Sequence, residues 1–114
     1  MKIEYLEKDS VVVIRVKGNL IGGPETFSVH EKVKALLQEK KMRFVIDLSD
    51  VSWINSTGIG MLMGCLTSIK TAGGELKLCG IGEKVKNLFI ITKLITLFDT
   101  YDSVDEAVKS FSKS

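Results

Sequence analysis

Two neighbouring hydroxyl residues, Ser56 and Thr57, lie where a predicted strand gives way to a predicted helix. The apolar run at 44–48 predicts a buried strand before them, and the apolar spacing over 59–70 predicts a helix after them. The start of a helix favours hydroxyl side chains as caps, and it also favours negative charge, phosphate included. We therefore expect one hydroxyl to cap the helix while its neighbour stays available as a switch.

The other chemistry-bearing residues do not assemble into a catalytic set. A nucleophilic serine needs a general base, but the single histidine, His30, lies on a different predicted helix, off its apolar face, where we expect it to be exposed. Ser56-Thr57-Gly58 is not a GxSxG elbow, and Gly58-Ile59-Gly60 continues into neither GxGxxG nor a P-loop. Asp47 and Asp50 fall in a strand and a turn, which argues against an acid/base pair. The sequence predicts no catalytic residues and no enzyme.

Composition narrows the class of protein further. The 114 residues suit one domain, 1–114, and 16 Lys and Arg against 14 Asp and Glu give a net charge of +2, too weak to indicate nucleic-acid or membrane partners. No signal peptide and no apolar run of the ~20 residues needed to span a bilayer is visible, so we expect a cytoplasmic protein. Cys65 and Cys79 lie in apolar segments and are expected to be buried free thiols; with one histidine and no CxxC we expect no metal and no cofactor.

The order of elements predicts an α/β protein. β-branched and apolar runs predict strands at 3–6, 11–16, 43–48 and 75–79, the first two as an antiparallel hairpin, with shorter extended segments at 19–21 and 97–99. Helices are predicted at about 24–39, at 59–70, around 85–92, and after a cap at Asp102 or Ser103, and the tail 112–114 is expected to be frayed. We predict a small mixed sheet of about four to five strands packed with about four α-helices.

The predicted helix at 59–70 has an unusual outer face. Its expected buried side carries Ile59, Leu62, Met63, Leu66 and Ile69. The opposite side is small and uncharged: Thr57, Gly60, Met61, Gly64 and Ser68. Each glycine costs a helix about 1 kcal/mol relative to alanine, which indicates that something approaches closely. Three interpretations stay open: another part of this chain packs there, the small residues reflect neutral drift, or the face is a flat docking surface for a partner, with Met61 as a soft contact.

A phosphate on Ser56 would affect the fold of the protein and its complex with a partner differently. It would add about −1.5 to −2 charges beside backbone N–H groups that favour an anion, so the fold would tolerate it. A partner pressed against Gly60 and Gly64 would have to desolvate that charge. The hypothesis is a protein whose fold survives modification while its complex does not.

The sequence resembles the STAS domains, specifically the bacterial anti-sigma-factor antagonists, over nearly its whole length. The resemblance rests on 12–20, on the strand 44–48, on the turn 50–60 (a hallmark Asp-Ser-Ser/Thr-Gly-Leu-Gly in the family), and on 73–79 and 85–89. It implies a STAS domain whose unphosphorylated form binds an anti-sigma factor, itself a serine kinase, and thereby frees the sigma factor. That kinase phosphorylates the first hydroxyl of the turn, which corresponds to Ser56, with Thr57 as the alternative, and a PP2C-type phosphatase reverses the step.

The resemblance also implies a partner surface and a free monomer. The residues we assign to that surface are Gly22, Gly23, Asn55, Ser56, Thr57, Gly58, Gly60, Met61 and Gly64. Two positions depart from the family pattern: Asn55 replaces the usual Asp and loses its charge, and Ile21 stands where an acidic residue is common. The alternatives are therefore a STAS module of another assembly, such as a lipid-transport or stress complex, without phosphorylation, and a nucleotide-binding domain, which only the glycine-rich helix start supports.

Overall fold

The computed structural model describes residues 2–112, and within that range it contains one five-stranded sheet and four α-helices. The strands are β1 (Lys2–Lys8), β2 (Val11–Lys17), β3 (Arg43–Asp50), β4 (Glu75–Cys79) and β5 (Asp99–Tyr101). The helices are α1 (Pro24–Gln38), α2 (Ser56–Thr71), α3 (Glu83–Ile91) and α4 (Val104–Phe111), with a 3₁₀ turn at Leu94–Thr96. The predicted α/β class with a mixed sheet is confirmed.

The order of the strands across the sheet is their order along the chain, β1-β2-β3-β4-β5. β1 pairs antiparallel with β2, from Lys2 opposite Lys17 to Lys8 opposite Val11, which confirms the predicted hairpin. β2, β3, β4 and β5 are mutually parallel, because helices α1, α2 and α3 carry the chain back between them. The segments that follow β2 and β3 consequently leave the sheet at the same edge.

Side chains alternate between the two faces of the central strands, so the interior consists of two apolar layers. One face of the sheet, with Val12, Ile14, Phe44 and Ile46, packs against α1, α2 and α3. The other face packs against α4 and consists of Val11, Val13, Val45 and Cys79 against Ala107, Val108 and Phe111. β3 is covered on both faces, as its continuous apolar run predicted.

Three boundaries differ from the sequence-based expectation. α2 begins at Ser56, three residues before its periodic apolar pattern, because a polar first turn carries no apolar signal. The last strand is Asp99–Tyr101 rather than 97–99, and 19–21 contributes a single bridge, Leu20 to Ile54, instead of a strand. Ser103 caps α4, Ser112 ends it, and residues 113 and 114 of the expected frayed tail lie outside the described residues.

Candidate functional site

Two chain segments run side by side at the edge of the sheet that carries the carboxyl ends of β2 and β3. The backbone N–H of Leu20 donates to the Trp53 carbonyl (3.2 Å), and the N–H of Asn55 donates to the Leu20 carbonyl (3.1 Å). Leu20 and Ile54 point inward and are fully buried. Their neighbours alternate outward, so that Ile21 and Trp53 are 56% and 46% exposed. The loop after β2 and the approach to α2 therefore share one outer surface.

Asn55 is the N-cap of α2. Its Oδ1 accepts a hydrogen bond from the Gly58 N–H (3.0 Å), and its Nδ2 donates to the Ile21 carbonyl (3.0 Å). The expectation that Ser56 or Thr57 caps the helix is wrong, because the residue before them already satisfies the cap. Ser56 and Thr57 occupy the first two helical positions with exposed side chains, and within residues 2–112 neither hydroxyl makes a hydrogen bond.

The loop Ile21–Gly23 closes against both helices. Gly22 and Gly23 have positive φ angles of 106° and 87°, which favour glycine. The Thr26 hydroxyl donates to the Gly22 carbonyl (2.9 Å), which ties the loop to the first turn of α1. A Cβ added at Gly22 would lie 3.2 Å from Cγ2 of Thr57, so this glycine also permits close approach to α2.

The three glycines of α2 serve different purposes. A Cβ at Gly58 would collide with the Leu20 carbonyl oxygen and would lie 2.7 Å from Cγ1 of Ile54. A Cβ at Gly64 would lie 2.8 Å from the His30 ring. A Cβ at Gly60 would meet nothing within 4 Å. Packing within the chain accounts for Gly58 and Gly64, and Gly60 alone of the three opens outward.

Two predictions about α2 and its neighbour α1 are corrected. Met61, predicted as a surface contact, is 2% exposed and packs in the core, where the Cys65 thiol lies 3.6 Å from its sulfur. His30, predicted to be exposed, is half-buried, with Nε2 2.9 Å from the Ser68 hydroxyl. The pKa of His30 is lowered from its ordinary value, mainly by burial. Both errors have one cause: α2 is covered by α1 as well as by the sheet, so its buried arc is wider than a single face.

We call the uncharged residues that are exposed or half-buried here the Ser56 surface; the exposed Glu25 lies between two of them in the sequence. It comprises Ile21, Gly22, Gly23, Phe27, Trp53, Ser56, Thr57 and Gly60. Phe27 is 49% exposed and lies about one turn before His30 on α1, as Gly60 does before Gly64 on the parallel helix α2. The first turn of α2 carries no acidic residue.

Sequence reasoning missed Trp53 and Phe27 as members of this surface. The signal for Trp53 was present in the alternation of 53–55, where Trp53 and Asn55 flank the inward-pointing Ile54. The signal for Phe27 was its place on the predicted helix 24–39, about 200° around the axis from Val29 and so off the apolar face.

The remaining features from the sequence analysis are the two cysteines, the metal-ligating residue types and the apolar segments. Cys65 and Cys79 are buried free thiols, as predicted, and burial raises the pKa of each to about 12. In the described part of the chain no group of three or more His, Cys, Asp or Glu residues is arranged to hold a metal ion. Among residues 2–112, no helix has both the length and the apolar character needed to cross a bilayer.

The fold and this turn define a class of small α/β domains. The family model of the STAS domain matches residues 2–107, so the chain belongs to the STAS domain family. Among characterised relatives, the anti-sigma-B factor antagonist of Bacillus subtilis is 34% identical over 87 residues, 74% of this chain and 79% of the relative.

Solved structures show the same fold. A candidate anti-sigma factor antagonist from Thermotoga maritima superimposes with a TM-score of 0.84 at 27% identity, covering 95% of this chain and 92% of that one. The antagonist SpoIIAA in its unphosphorylated form gives a TM-score of 0.75 at 16% identity over 99% of both chains. The Bacillus SpoIIAA structure in the phosphorylated form gives 0.76 at 16% identity, covering 96% of this chain and 99% of that one. The names of these relatives describe them as antagonists of anti-sigma factors.

Proposed function

We propose that this protein is an anti-sigma-factor antagonist switched by phosphorylation at Ser56. The unphosphorylated form binds an anti-sigma factor that is also a serine kinase, and it thereby frees the sigma factor. Phosphorylation of Ser56 ends that binding, and a PP2C-type phosphatase restores it. In this proposal the whole chain, 1–114, acts as one monomeric STAS domain that is a substrate and not an enzyme.

The observation that carries the proposal is the exposed hydroxyl of Ser56, which makes no hydrogen bond within residues 2–112 and begins α2 among the uncharged residues of the Ser56 surface. Exposed Ile21, Phe27 and Trp53 supply the apolar area that a protein partner buries. Aromatic residues, Trp above all, are enriched among the residues that contribute most to such interfaces.

The same geometry explains how one phosphate would separate folding from binding. Ser56 and Thr57 are the first two helical residues, whose backbone N–H groups have no acceptor within the helix. These groups and the helix dipole favour a phosphate on the free protein. In a complex, the same phosphate would be buried against apolar side chains and would lose its hydration, which is unfavourable for an unpaired charge.

The direct test is incubation with the cognate anti-sigma kinase and ATP, followed by intact mass spectrometry and site mapping. We expect one phosphate on the wild-type protein and on Thr57→Ala, and none on Ser56→Ala. Thr57→Ala is the matched control, because it removes the neighbouring exposed hydroxyl and leaves the Asn55 cap in place. Modification confined to Thr57 would refute the residue assignment, and an unmodified wild-type protein would refute the switch.

A further inference from the structure

The carboxamide of Asn55 lies between one hydrogen-bond acceptor and one donor. Its Nδ2 is 3.0 Å from the Ile21 carbonyl oxygen, and its Oδ1 is 3.0 Å from the Gly58 nitrogen. These partners fix the orientation of the amide, because a carbonyl can only accept and an N–H can only donate. An ionised carboxylate of the same shape would satisfy Gly58 and would face the Ile21 carbonyl with a second acceptor.

These two partners belong to different halves of the Ser56 surface. Ile21 begins the loop that continues through Gly22 and Gly23, whereas Gly58 lies in the first turn of α2 next to Ser56. Gly22 and Gly23 are hydrogen-bonded to α1, through the Thr26 hydroxyl and the Phe27 N–H. The hydrogen bond from Asn55 to the Ile21 carbonyl therefore adds a tie from this loop to α2, next to two glycines whose backbone is intrinsically flexible.

We propose that Asn55 is a positioning residue: its carboxamide fastens the Ile21–Gly23 loop to the start of α2 and holds the two halves of the Ser56 surface in one arrangement for the partner. The cap on Gly58 stabilises the helix, while the bond to Ile21 organises the surface. The part of this inference that concerns the partner rests on the proposed function, and the part that concerns the loop does not.

The loop is tested on the protein alone with Asn55→Asp, which keeps the shape and the cap acceptor but removes the donor at neutral pH. We expect the backbone amide NMR signals of Gly22 and Gly23 to shift and to report greater mobility, while that of Gly58 retains its hydrogen bond. Below the carboxyl pKa, about 4, the acid form regains a donor. The Gly22 and Gly23 signals should then return toward their wild-type positions.

The wild-type protein, titrated over the same pH range, controls for Glu25 and His30, which lie on α1 in both proteins. Ser52→Ala is the second control, since it removes a neighbouring hydrogen bond, from the Ser52 hydroxyl to Oδ1 of Asn19, 2.9 Å long. Wild-type loop signals in Asn55→Asp at neutral pH would overturn the positioning role. So would a perturbation that persists after the carboxyl is protonated.

The partner is tested by steady-state phosphorylation of Ser56. We expect Asn55→Asp to raise KM about tenfold, a loss of about 1.4 kcal/mol of binding, with kcat changed less than about twofold. Ser52→Ala should match the wild type. If the wild-type protein is phosphorylated and Asn55→Asp keeps its KM, the inference fails and the proposed function stands. If the wild-type protein is neither bound nor phosphorylated, the proposed function fails, and the NMR result alone decides the loop.

Discussion

The first turns of α2 and α4 are capped by the same type of hydrogen bond but differ in charge. Asn55 accepts from the N–H three residues on at 3.0 Å, and Ser103 does so at 3.1 Å. α4 then places Asp105 and Glu106 in its first turn, where carboxylates complement the helix dipole. α2 has no acidic residue there. One helix start is already neutralised by its own sequence, and the other stays open to an added negative charge.

The third helical position shows the same contrast in packing. In α4 it is Glu106, which is exposed, and in α2 it is Gly58, which is buried. The difference arises because the Leu20 carbonyl lies against Gly58. α4 packs on the sheet through Ala107, Val108 and Phe111. The start of α2, in contrast, is in tight contact with the segment after β2.

The largest effect is expected from adding one methyl group to this clamped position. Gly58→Ala should lower the free energy of unfolding by about 2 kcal/mol, because the new Cβ overlaps backbone that cannot easily move. Gly60→Ala, in open space on the same helix, should instead raise it by up to about 1 kcal/mol through helix propensity. Glu106→Ala should change it by less than about 0.5 kcal/mol. Chemical denaturation of the three variants measures the contrast, and a tolerated Gly58→Ala would show that the clamp is soft.

The next largest effect is on binding affinity, for which a charge at the start of α2 is compared with a charge farther along the same helix. Ser56→Asp should fold normally and bind the proposed anti-sigma partner at least about tenfold more weakly, a loss of about 1.4 kcal/mol. Thr67→Asp places the same charge on an exposed position three turns along α2 and should bind within about twofold of the wild type. Calorimetric titration measures both. Equal affinities of the wild type and Ser56→Asp would reject the charge mechanism.

The smallest effect concerns the charges of α4. The pKa of Asp105 is lowered from its ordinary value of 3.8, mainly by a hydrogen bond from Lys8 and to a smaller extent by the positive charge of Lys8. Since the folded-state pKa is the lower one, the carboxylate stabilises the fold above the ordinary value, and this contribution is lost as the pH falls through the folded-state value. Asp105→Asn should therefore show a shallower loss of stability as the pH falls below the ordinary value of 3.8. High salt should shrink the difference, because the pair is exposed; identical slopes would contradict the ion pair.

The sequence predicted the layers of this fold because burial repeats with the period of each element. The runs at 11–16 and 44–48, and the spacing of Val29 and Val33, correspond to buried faces in the structure. Asn55 escaped prediction as the cap because Asn, Ser and Thr are all good caps, and residue type does not discriminate among three in a row. Met61 and His30 escaped because the contact of α1 with α2 depends on two crossovers landing side by side, which no local pattern encodes.

The identity of strand order and chain order has a consequence for synthesis. When each strand after β1 leaves the ribosome, the strand that it pairs with has already been synthesised, so the sheet is able to grow in one direction as the chain lengthens. α4 follows all five strands in the chain, and until it docks, its part of the sheet face with Val11, Val13, Val45 and Cys79 is uncovered. A chain interrupted before Val104 therefore already contains the turn with Ser56 but displays a bare apolar sheet, the kind of surface that chaperones bind and that drives aggregation.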